Sequence, residues 1–586
     1  MSFWASENKI AIGQTKVAIP SENGLSYSAG QKIDITIPRE IQFFQPKESY
    51  LSLDVEISLP SNRPTTRLSL DEYIGGQVLI KDIRVYTQGG TLLEEIQGYN
   101  TAVSVMYDYD SNENIRNKRA MTEGTTSATS FYRGTTGGTE SDNVNHINIP
   151  YYSGVTNDLY SASFNDDDYS KAKLLLPLHT GIFQNDKIFP NSMGLRLELI
   201  LEQNNVVFRQ LDSVNKNNKM TLNPKFHSLN GSTAPDEWTS GSDSDTFFVA
   251  RDNHNIGVDN FPFVVGEAIK FVSEENVEHK AFNNASNMVI QQIEVEGAAD
   301  GNKGLIKITL DGTYTNNGST VLPLGTTSAS GGEFYLYSAN FDNGSDVGGQ
   351  TYNPTFTVSN VELIVQKLEM PDGYKNQMNQ MMREGGSMVY DFLSYSNYRQ
   401  TILASDTVAN INLPLNFSRA KSILCVPTDS TVRTTGQVLS CEGAYEYNEE
   451  TSDVAPNANT RGSLVGIWDN LQNYQFNYNN RLQPSRKISC AKISAKNSID
   501  QQPLVELEKA LVQAGIQPRS FRAFQRNAVI GRALALQDGV YDCRGKSFSL
   551  QLEYTGTAPD FPKLWNNYVF HLRRLNITAD GISVEI

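Results

Sequence analysis

The sequence is poor in cysteine, with four in 586 residues. None forms a C-x-x-C pair, and no second cluster is available to complete a zinc site. Because disulfides are rare in reducing compartments, this pattern favours a protein made in the interior of a cell. The cysteines are Cys425, Cys441, Cys490 and Cys543.

Long apolar runs are also missing. No stretch approaches the roughly 20 apolar residues that a membrane span needs. Residues Met1–Pro20 lack the continuous hydrophobic segment of a secretory signal, so we expect no such signal. Charged residues make up only 19%, with a formal net charge of -16. A diffuse negative field repels phosphate backbones, so we expect no specific nucleic-acid partner.

The signatures of catalytic and metal sites are absent. The six histidines form no H-x-x-x-H or H-E-x-x-H pair, and the sequence has no P-loop, dinucleotide fingerprint or G-x-S-x-G elbow. Asp108–Asn114 resembles a calcium loop, but Glu113 stands where the loop needs glycine and Arg119 where it needs a bidentate acid. We expect no catalytic residue, no cofactor, no metal site and no enzymatic activity.

A basic cluster near the end of the chain has two interpretations. It could contact phosphate or a neighbouring subunit, or its arginines could be solvated or paired with acids, which we favour. The cluster consists of Arg519, Arg522, Arg526 and Arg532, with Phe521 and Phe524 among them.

Period-two alternation is the dominant positive signal. Apolar residues occupy every second position in Leu51–Leu59, Leu195–Leu201 and Phe548–Tyr554, as expected for strands with one buried face. Tyrosine, phenylalanine and glycine are plentiful, which suits pleated surfaces and tight turns. With few helical patterns and no repeat of 20 to 50 residues, the sequence predicts antiparallel β-sandwiches.

Three long polar stretches interrupt the strands. Asp110–Ser170, Asn204–Asp259 and Asp311–Thr355 are rich in Ser, Thr, Asn, Gly and Asp, and we expect them to lack cores of their own and to project from the first sandwich. Within this region, Leu305–Leu310 and Phe334–Tyr337 have strand-like patterns, which predicts that the last insertion folds locally as β.

Two short helices are predicted. One starts at Pro503 and ends near Gly515, with apolar residues at helical spacing between them. The other runs from about Gly373 to Glu384, between strand-like sequences, and is a candidate connector between two β domains.

Several segments resemble a known family in their order and spacing. The strongest pair is Phe356–Met370 (FTVSNVELIVQKLEM) followed by Met388–Arg399, and Leu178–Glu198 lies upstream of them. Downstream lie Leu471–Pro484, Ala528–Arg532 before Tyr541-Asp542, and Leu564–Asn576. Together they resemble the double jelly-roll major capsid proteins of polinton-like viruses, virophages and related large double-stranded DNA viruses.

The resemblance implies an all-β fold of two jelly-roll sandwiches with long loop insertions and few short helices. It implies a major capsid protein located in the virion, whose homotrimers tile an icosahedral shell beside neighbouring capsomers, penton and minor capsid proteins; an inner membrane is left open. The expected parts are an N-terminal arm (1–24), a first jelly roll (25–370) with insertions near 110–170 and 204–355, a helical connector (371–385) and a second jelly roll (386–586).

Two other functions stay open at this point. A carbohydrate- or receptor-binding β-sandwich would use an exposed aromatic platform such as Trp238 or Trp468, although each tryptophan could equally fill a core. A β-sandwich glycosidase would use a pair of carboxylates that no motif identifies.

Overall fold

The computed structural model describes most of both sandwiches and parts of the insertions. The described residues are 11–58, 66–71, 74–112, 115, 118–119, 122–124, 151–152, 171–212, 226–229, 238–239, 241–250, 268–273, 288–296, 305–316, 334–338, 355–430, 447–448, 453–454, 464–468, 471–490, 492–493, 498–499, 501–519, 527–535, 539–554 and 562–586.

Strands dominate the described chain. They are β1 (Gly13–Pro20), β2 (Ser26–Ser28), β3 (Lys32–Ile37), β4 (Phe43–Ser58), β5 (Thr66–Ser69), β6 (Ile80–Thr87), β7 (Leu92–Gln97), β8 (Tyr151–Tyr152), β9 (Lys171–Pro177), β10 (Phe189–Pro190), β11 (Leu195–Leu201), β12 (Arg209–Asp212), β13 (Phe226–Ser228), β14 (Asp243–Ala250), β15 (Ala268–Ser273), β16 (Met288–Glu296), β17 (Leu305–Thr315), β18 (Phe334–Ser338), β19 (Thr355–Glu369), β20 (Met388–Ile402), β21 (Val408–Asn412), β22 (Ala420–Asp429), β23 (Tyr447–Asn448), β24 (Asp453–Val454), β25 (Leu471–Tyr478), β26 (Arg481–Ser489), β27 (Lys492–Ile493), β28 (Ser498–Ile499), β29 (Ile530–Ala533), β30 (Phe548–Tyr554), β31 (Lys563–Ile577) and β32 (Ile582–Glu585). The helices are Tyr99–Tyr109, Asn204–Val207, Asp372–Arg383 and Gln502–Gln513, with a 3-10 helix at Gly75–Leu79.

The first sandwich has the strand order of a jelly roll. One sheet runs β1-β19-β4-β10, with β2 also on β19 and β9 also on β4, and the other runs β3-β11-β6-β7. If β1 and β2 are counted as the first strand and β9 and β10 as the sixth, the sheets read 1-8-3-6 and 2-7-4-5. This is the order of eight antiparallel strands wound as a jelly roll.

The second sandwich repeats this order. Its sheets run β20-β31-β22-β29 and β21-β30-β25-β26, which again read 1-8-3-6 and 2-7-4-5. Its first and eighth strands pair without a break from Met388 opposite Ile577 to Ile402 opposite Lys563. The prediction of an all-β double jelly roll is therefore confirmed by the strand order of both sandwiches.

The alternating patterns point their apolar residues inward, as expected. In β4, Leu53 and Val55 are buried, whereas Glu56 is exposed. The side chains of Ile57 and Ser58, predicted to continue this alternation, lie outside the described residues. A shift of one residue would exchange the two faces, so the burial of Val55 fixes the register of this strand.

Both predicted helices are present. Asp372–Arg383 connects β19 to β20, and Gln502–Gln513 follows β28. Gly385 and Gly515, just beyond the two helices, have φ of 81° and 75°, a left-handed conformation that glycine adopts readily. The domain bounds stay a prediction, but the structure adds that Gly13–Pro20, in the expected N-terminal arm, pairs with β19 along its whole length.

The insertion between β11 and β19 contains a third β unit, which corrects the expectation that Asn204–Asp259 and Asp311–Thr355 contribute no core. Strands β13 to β18 form a sheet in the order β13-β14-β17-β16-β15-β18, and the two end strands β13 and β18 contact each other. Its separate core includes Phe226, Trp238, Phe247, Phe271 and Leu336.

This core was not predicted from the sequence because each strand contributes only one or two buried apolar residues, and polar connections separate the strands. The sheet curves enough for the rings of Phe226 and Phe271 to lie 5.5 Å apart, although three strands lie between theirs in the sheet. The predicted local β structure at Leu305–Leu310 and Phe334–Tyr337 is confirmed by β17 and β18. Most of Asp110–Ser170 lies outside the described residues.

Candidate functional site

The segment that resembles a calcium loop has a different structure. Asp108 is the penultimate residue of the helix Tyr99–Tyr109, is fully buried, and accepts a hydrogen bond of 2.6 Å from Asn527 Nδ2. Asp110 forms an ion pair of 3.0 Å with Arg519. These acids therefore join the two jelly rolls. Within the described part of the chain, no group of three or more His, Cys, Asp or Glu residues is placed to hold a metal ion.

The basic cluster is partly described. Arg519 pairs with Asp110, and Arg532 pairs with Glu506. These contacts support the interpretation as paired arginines for the two ends of the cluster. Phe521, Arg522, Phe524 and Arg526 lie outside the described residues.

The two candidate aromatic platforms have different surroundings. Trp238 is completely buried in the core of the inserted unit, and its Nε1 donates to the carbonyl of Ser242 at 3.1 Å. Its use as an exposed binding platform is therefore wrong, because no ring face is accessible. Trp468 is half-buried and packs against the cores of both jelly rolls.

The cysteines, and the histidine His571, lie in the protein interior wherever the structure describes them. Cys425, Cys490 and Cys543 are buried, and Cys441 lies outside the described residues. His571 is buried and stacks on the ring of Phe417 at 4.0 Å.

The most extensive arrangement of buried polar groups lies at the junction of the two jelly rolls. The first roll contributes β7, the helix Tyr99–Tyr109 with the preceding Gly98, and the loop 178–188. The second contributes the outer face of its first sheet, chiefly β20 and β31. The two rolls thus meet through different surfaces. The first roll uses the side that carries its fifth strand, β7, and the second roll uses the outer face of the sheet that contains β20 and β31.

A buried carboxylate, Glu94, lies at the centre of this junction. It accepts hydrogen bonds from the backbone N–H groups of Gly181 at 2.7 Å and Ile182 at 3.2 Å, and from the hydroxyl of Ser394 at 2.5 Å. Burial raises the pKa of Glu94 above its ordinary value, although Ser394, Arg573 and the backbone donors favour the charged form. The carboxylate is therefore held by both rolls together.

Arg573 of β31 supplies the positive charge beside Glu94. It is 7% exposed, and its Nη1 donates to the backbone carbonyl of Leu93 at 2.7 Å. Burial lowers the pKa of Arg573, whereas Glu94 and Glu95 raise it. A charged group so poorly solvated requires its partners in the other roll, which ties the position of β31 to that of β7.

A second polar cluster adjoins the junction within the first roll. Tyr99 donates to Gln77 Oε1 at 2.8 Å, and the hydroxyl of Tyr107 bonds to Glu123 and lies 2.8 Å from His179 Nε2. Burial lowers the pKa of His179 to about 3, with a further contribution from nearby Arg119. The imidazole is therefore neutral at physiological pH.

The second roll contacts this cluster through one tyrosine. Tyr395 of β20 donates its hydroxyl proton to the backbone carbonyl of His179 at 2.8 Å. Because the cluster uses its donors and acceptors internally and across the junction, it serves packing rather than an exposed reactive site.

Further contacts extend along the junction. Asn397 donates to the carbonyl of Gln97 at 3.0 Å, and Arg399 pairs with Asp82 at 3.1 Å. Apolar contact is continuous as well, since one buried core contains residues of both rolls, and the ring of Tyr390 packs edge-on to that of Phe189 at 5.1 Å. The two rolls are therefore packed directly on each other through both apolar and polar contacts.

Sequence reasoning did not identify the residues of this junction. The available signal was the run Leu93-Glu94-Glu95-Ile96 in β7, in which an acid interrupts the apolar side of an otherwise alternating strand. Leu93 faces the core of the first roll and Glu94 faces the second roll, so both are buried. A partner for Glu94 could not be read from the sequence because Ser394 and Arg573 lie hundreds of residues away.

Comparison with known proteins gives structural similarity only. No family model matches the sequence, and no curated protein matches it. The structure is similar to VP54 of PBCV-1, fitted into a reconstruction of the virophage Sputnik, at 10% identity and a TM-score of 0.43, covering 100% of this chain and 99% of that one.

Two other solved structures have similar values. The Faustovirus major capsid protein matches at 10% identity and a TM-score of 0.44, covering 98% of this chain and 92% of that one. The mavirus major capsid protein matches at 10% identity and a TM-score of 0.35, covering 99% and 93%. Since these TM-scores are below 0.5, the fold assignment rests on the strand order and register of the chain itself.

In the described part of the chain, no helix has the length and apolar character needed to cross a membrane.

Proposed function

We propose that the chain is the major capsid protein of a double-stranded DNA virus and forms homotrimeric, pseudo-hexagonal capsomers that tile an icosahedral shell. The observation that carries this proposal is the pair of jelly rolls with the same strand order, packed on each other through two different surfaces. It agrees with the sequence segments that resemble this family.

The contact between different surfaces matters for assembly. When one surface of a unit binds a different surface of the next, repetition of the contact forms a closed ring if the rotation permits closure. Three chains supply six jelly rolls, so a threefold trimer acquires an approximately sixfold outline. Such a block can occupy the hexagonal positions of a shell.

The remaining features agree with a structural role. The net charge of -16 keeps the protein from binding stray genome without specificity, and the buried polar groups at the junction are used in joining the rolls. We propose that the protein is not an enzyme and that its partners are other capsomers, penton proteins and minor capsid proteins, with an inner membrane left open. The carbohydrate-binding alternative loses support because Trp238 is buried.

Native mass and imaging test the proposal directly. The purified protein should have three times the mass of the 65.1 kDa chain and should appear in negative stain as flat pseudo-hexagonal particles. A protein that stays monomeric at micromolar concentrations, with no trimer in virus-like particles, would contradict the proposal. Hydrolysis of any member of a glycan panel would contradict the non-enzymatic role.

A further inference from the structure

A histidine is buried in the second roll next to the junction. His571 of β31 is fully buried, its Nε2 lies 3.1 Å from the hydroxyl of Ser396 in β20, and its ring stacks on Phe417 at 4.0 Å. The residue opposite His571 on β20 is Ser394, whose hydroxyl donates to Glu94 of the first roll. The imidazole therefore adjoins a contact between the two rolls.

The charged groups that act on His571 are two arginines. Arg573 lies two positions along β31, and Arg419 lies next to Ala420, which pairs with His571. Burial lowers the pKa of His571 most, and both guanidinium groups lower it further. The Nε of Arg573 and the Nη2 of Arg419 are buried and have no hydrogen-bond acceptor among the described residues. The positive charge around the imidazole is therefore only partly balanced.

The acids of this region are directed at the arginines and not at the imidazole. Asp391 of β20 pairs with Arg419 at 3.4 Å. The two adjacent acids of β7, Glu94 and its neighbour, favour the charged form of Arg573. Within the described part of the chain, no ion pair joins His571 to a carboxylate. The imidazole consequently has no counter-ion for a proton of its own.

Two further titratable groups lie around Phe417, and both are neutral at physiological pH. The ring of Tyr398 in β20 lies 6.4 Å from that of Phe417, and the backbone N–H of Cys543 donates to the carbonyl of Phe417 at 2.8 Å. Burial raises the pKa of Tyr398, and it raises the pKa of Cys543 to about 12. Neither side chain can therefore balance a positive charge on His571.

A proton on His571 adds a third positive charge beside the two arginines. A buried charge without an acid partner is costly, and like charges nearby raise the cost. The imidazole therefore stays neutral while the junction is closed. Arg573 links this position to the other roll, because its Nη1 donates to the carbonyl of Leu93 at 2.7 Å. Repulsion that displaces Arg573 also breaks this contact with the first roll.

We propose that Arg419, His571 and Arg573 form an acid-sensitive lock, which holds the two jelly rolls together at neutral pH and loosens their junction when His571 takes up a proton. The lock lies within one chain and does not depend on the capsid function. In the open junction the imidazole is solvated and has a pKa near the ordinary value of about 6.5. Closure is therefore fully favoured above about pH 6.5, and its equilibrium constant falls roughly tenfold for each pH unit below that value.

Hydrogen–deuterium exchange of the full chain between about pH 7 and pH 5 tests the lock. The loop 178–188 of the first roll reports on the junction. Its Gly181 and Ile182 donate their N–H groups to Glu94. Gly181 also lies so close to the second roll that a Cβ there would be 2.4 Å from the carbonyl oxygen of Leu393. These amides should therefore exchange faster when the junction opens.

The comparison is between the wild type and His571→Phe, which keeps an aromatic ring beside Phe417 but cannot take up a proton. The ratio of their exchange rates in the loop 178–188 should rise roughly tenfold for each pH unit below about 6.5. A ratio taken at each pH cancels the intrinsic exchange rate and the titration of every other group. Strands β11 and β30 serve as controls, and their ratios should not change with pH.

Two outcomes would overturn the lock. If the ratio for the loop 178–188 is the same across this pH range, His571 does not control the junction. If the ratio for β30 rises as much as that for the loop, the proton unfolds the second roll as a whole and does not loosen the junction. Should His571→Phe fail to fold, His571→Gln takes its place, because glutamine can hydrogen-bond to Ser396 without titrating.

Discussion

Replacement of Glu94 by alanine should destabilise the protein strongly. The change removes the acceptor for the backbone N–H groups of Gly181 and Ile182 and for the Ser394 hydroxyl, and it removes the acid whose charge favours the ionised form of the buried Arg573. Each buried donor left without an acceptor costs about 1–3 kcal/mol, so the loss of all three contacts should cost at least about 3 kcal/mol. Glu94→Gln keeps one acceptor oxygen and should cost less, about 1–3 kcal/mol.

The neighbouring residue provides a matched control. Glu95 lies on the same strand, but its side chain is 31% exposed and pairs with Arg84 at 2.9 Å. Exposed pairs of this kind contribute up to about 1 kcal/mol, so Glu95→Ala should have a small effect. Urea denaturation followed by circular dichroism and tryptophan fluorescence measures all three variants. If Glu94→Ala costs no more than Glu95→Ala, the buried carboxylate does not hold the two rolls together.

Four further changes probe other parts of the molecule. Trp238→Ala should cost about 3–5 kcal/mol within the inserted unit, and limited proteolysis should then cut between residues 226 and 338 while leaving the two sandwiches intact. Val55→Asp should lower the free energy of unfolding by several kcal/mol because it buries an unpaired charge. A loss no larger than that of Glu56→Ala, which changes an exposed side chain, would place Val55 outside the core. Burial lowers the pKa of His571 well below its usual value. The free energy of unfolding should therefore fall as the pH drops below about 6.5, by up to about 1.4 kcal/mol per pH unit. If His571→Gln shows the same pH dependence as the wild type, His571 is not its cause. A chelator should leave the melting temperature unchanged, and a drop of several degrees would revive the calcium interpretation of Asp108–Asn114.

The strands of the two sandwiches were predictable because one face of each is buried. Leu195–Leu201 and Phe548–Tyr554 alternate over their whole length, and the structure buries the predicted residues. The helix Gln502–Gln513 was predictable from local signals, namely a proline at its start and a glycine beyond its end. Each of these features is decided by residues close together in the sequence.

The inserted unit and the junction were not predictable in the same way. The core around Trp238 is assembled from one or two apolar residues of each of six short strands. Local patterns therefore indicate strands at Leu305–Leu310 and Phe334–Tyr337, but not the core that the six strands enclose. Glu94 and Arg573 are separated by most of the chain, and each alone resembles an ordinary surface charge. Only the packing of one roll on the other shows that they share a buried site.

The first-sheet faces of the two jelly rolls differ in chemistry. The first-sheet face of the second roll presents Phe392, Leu424 and Phe570 to the core shared with the first roll, and it never needs to be soluble alone. The corresponding face of the first roll carries exposed Lys16 and Lys173 and half-buried Asp54 and Glu362 instead. Charged side chains of both signs keep such a face soluble without a covering domain, whereas an apolar face has to be buried, and the fusion of the two rolls buries the apolar one within the chain.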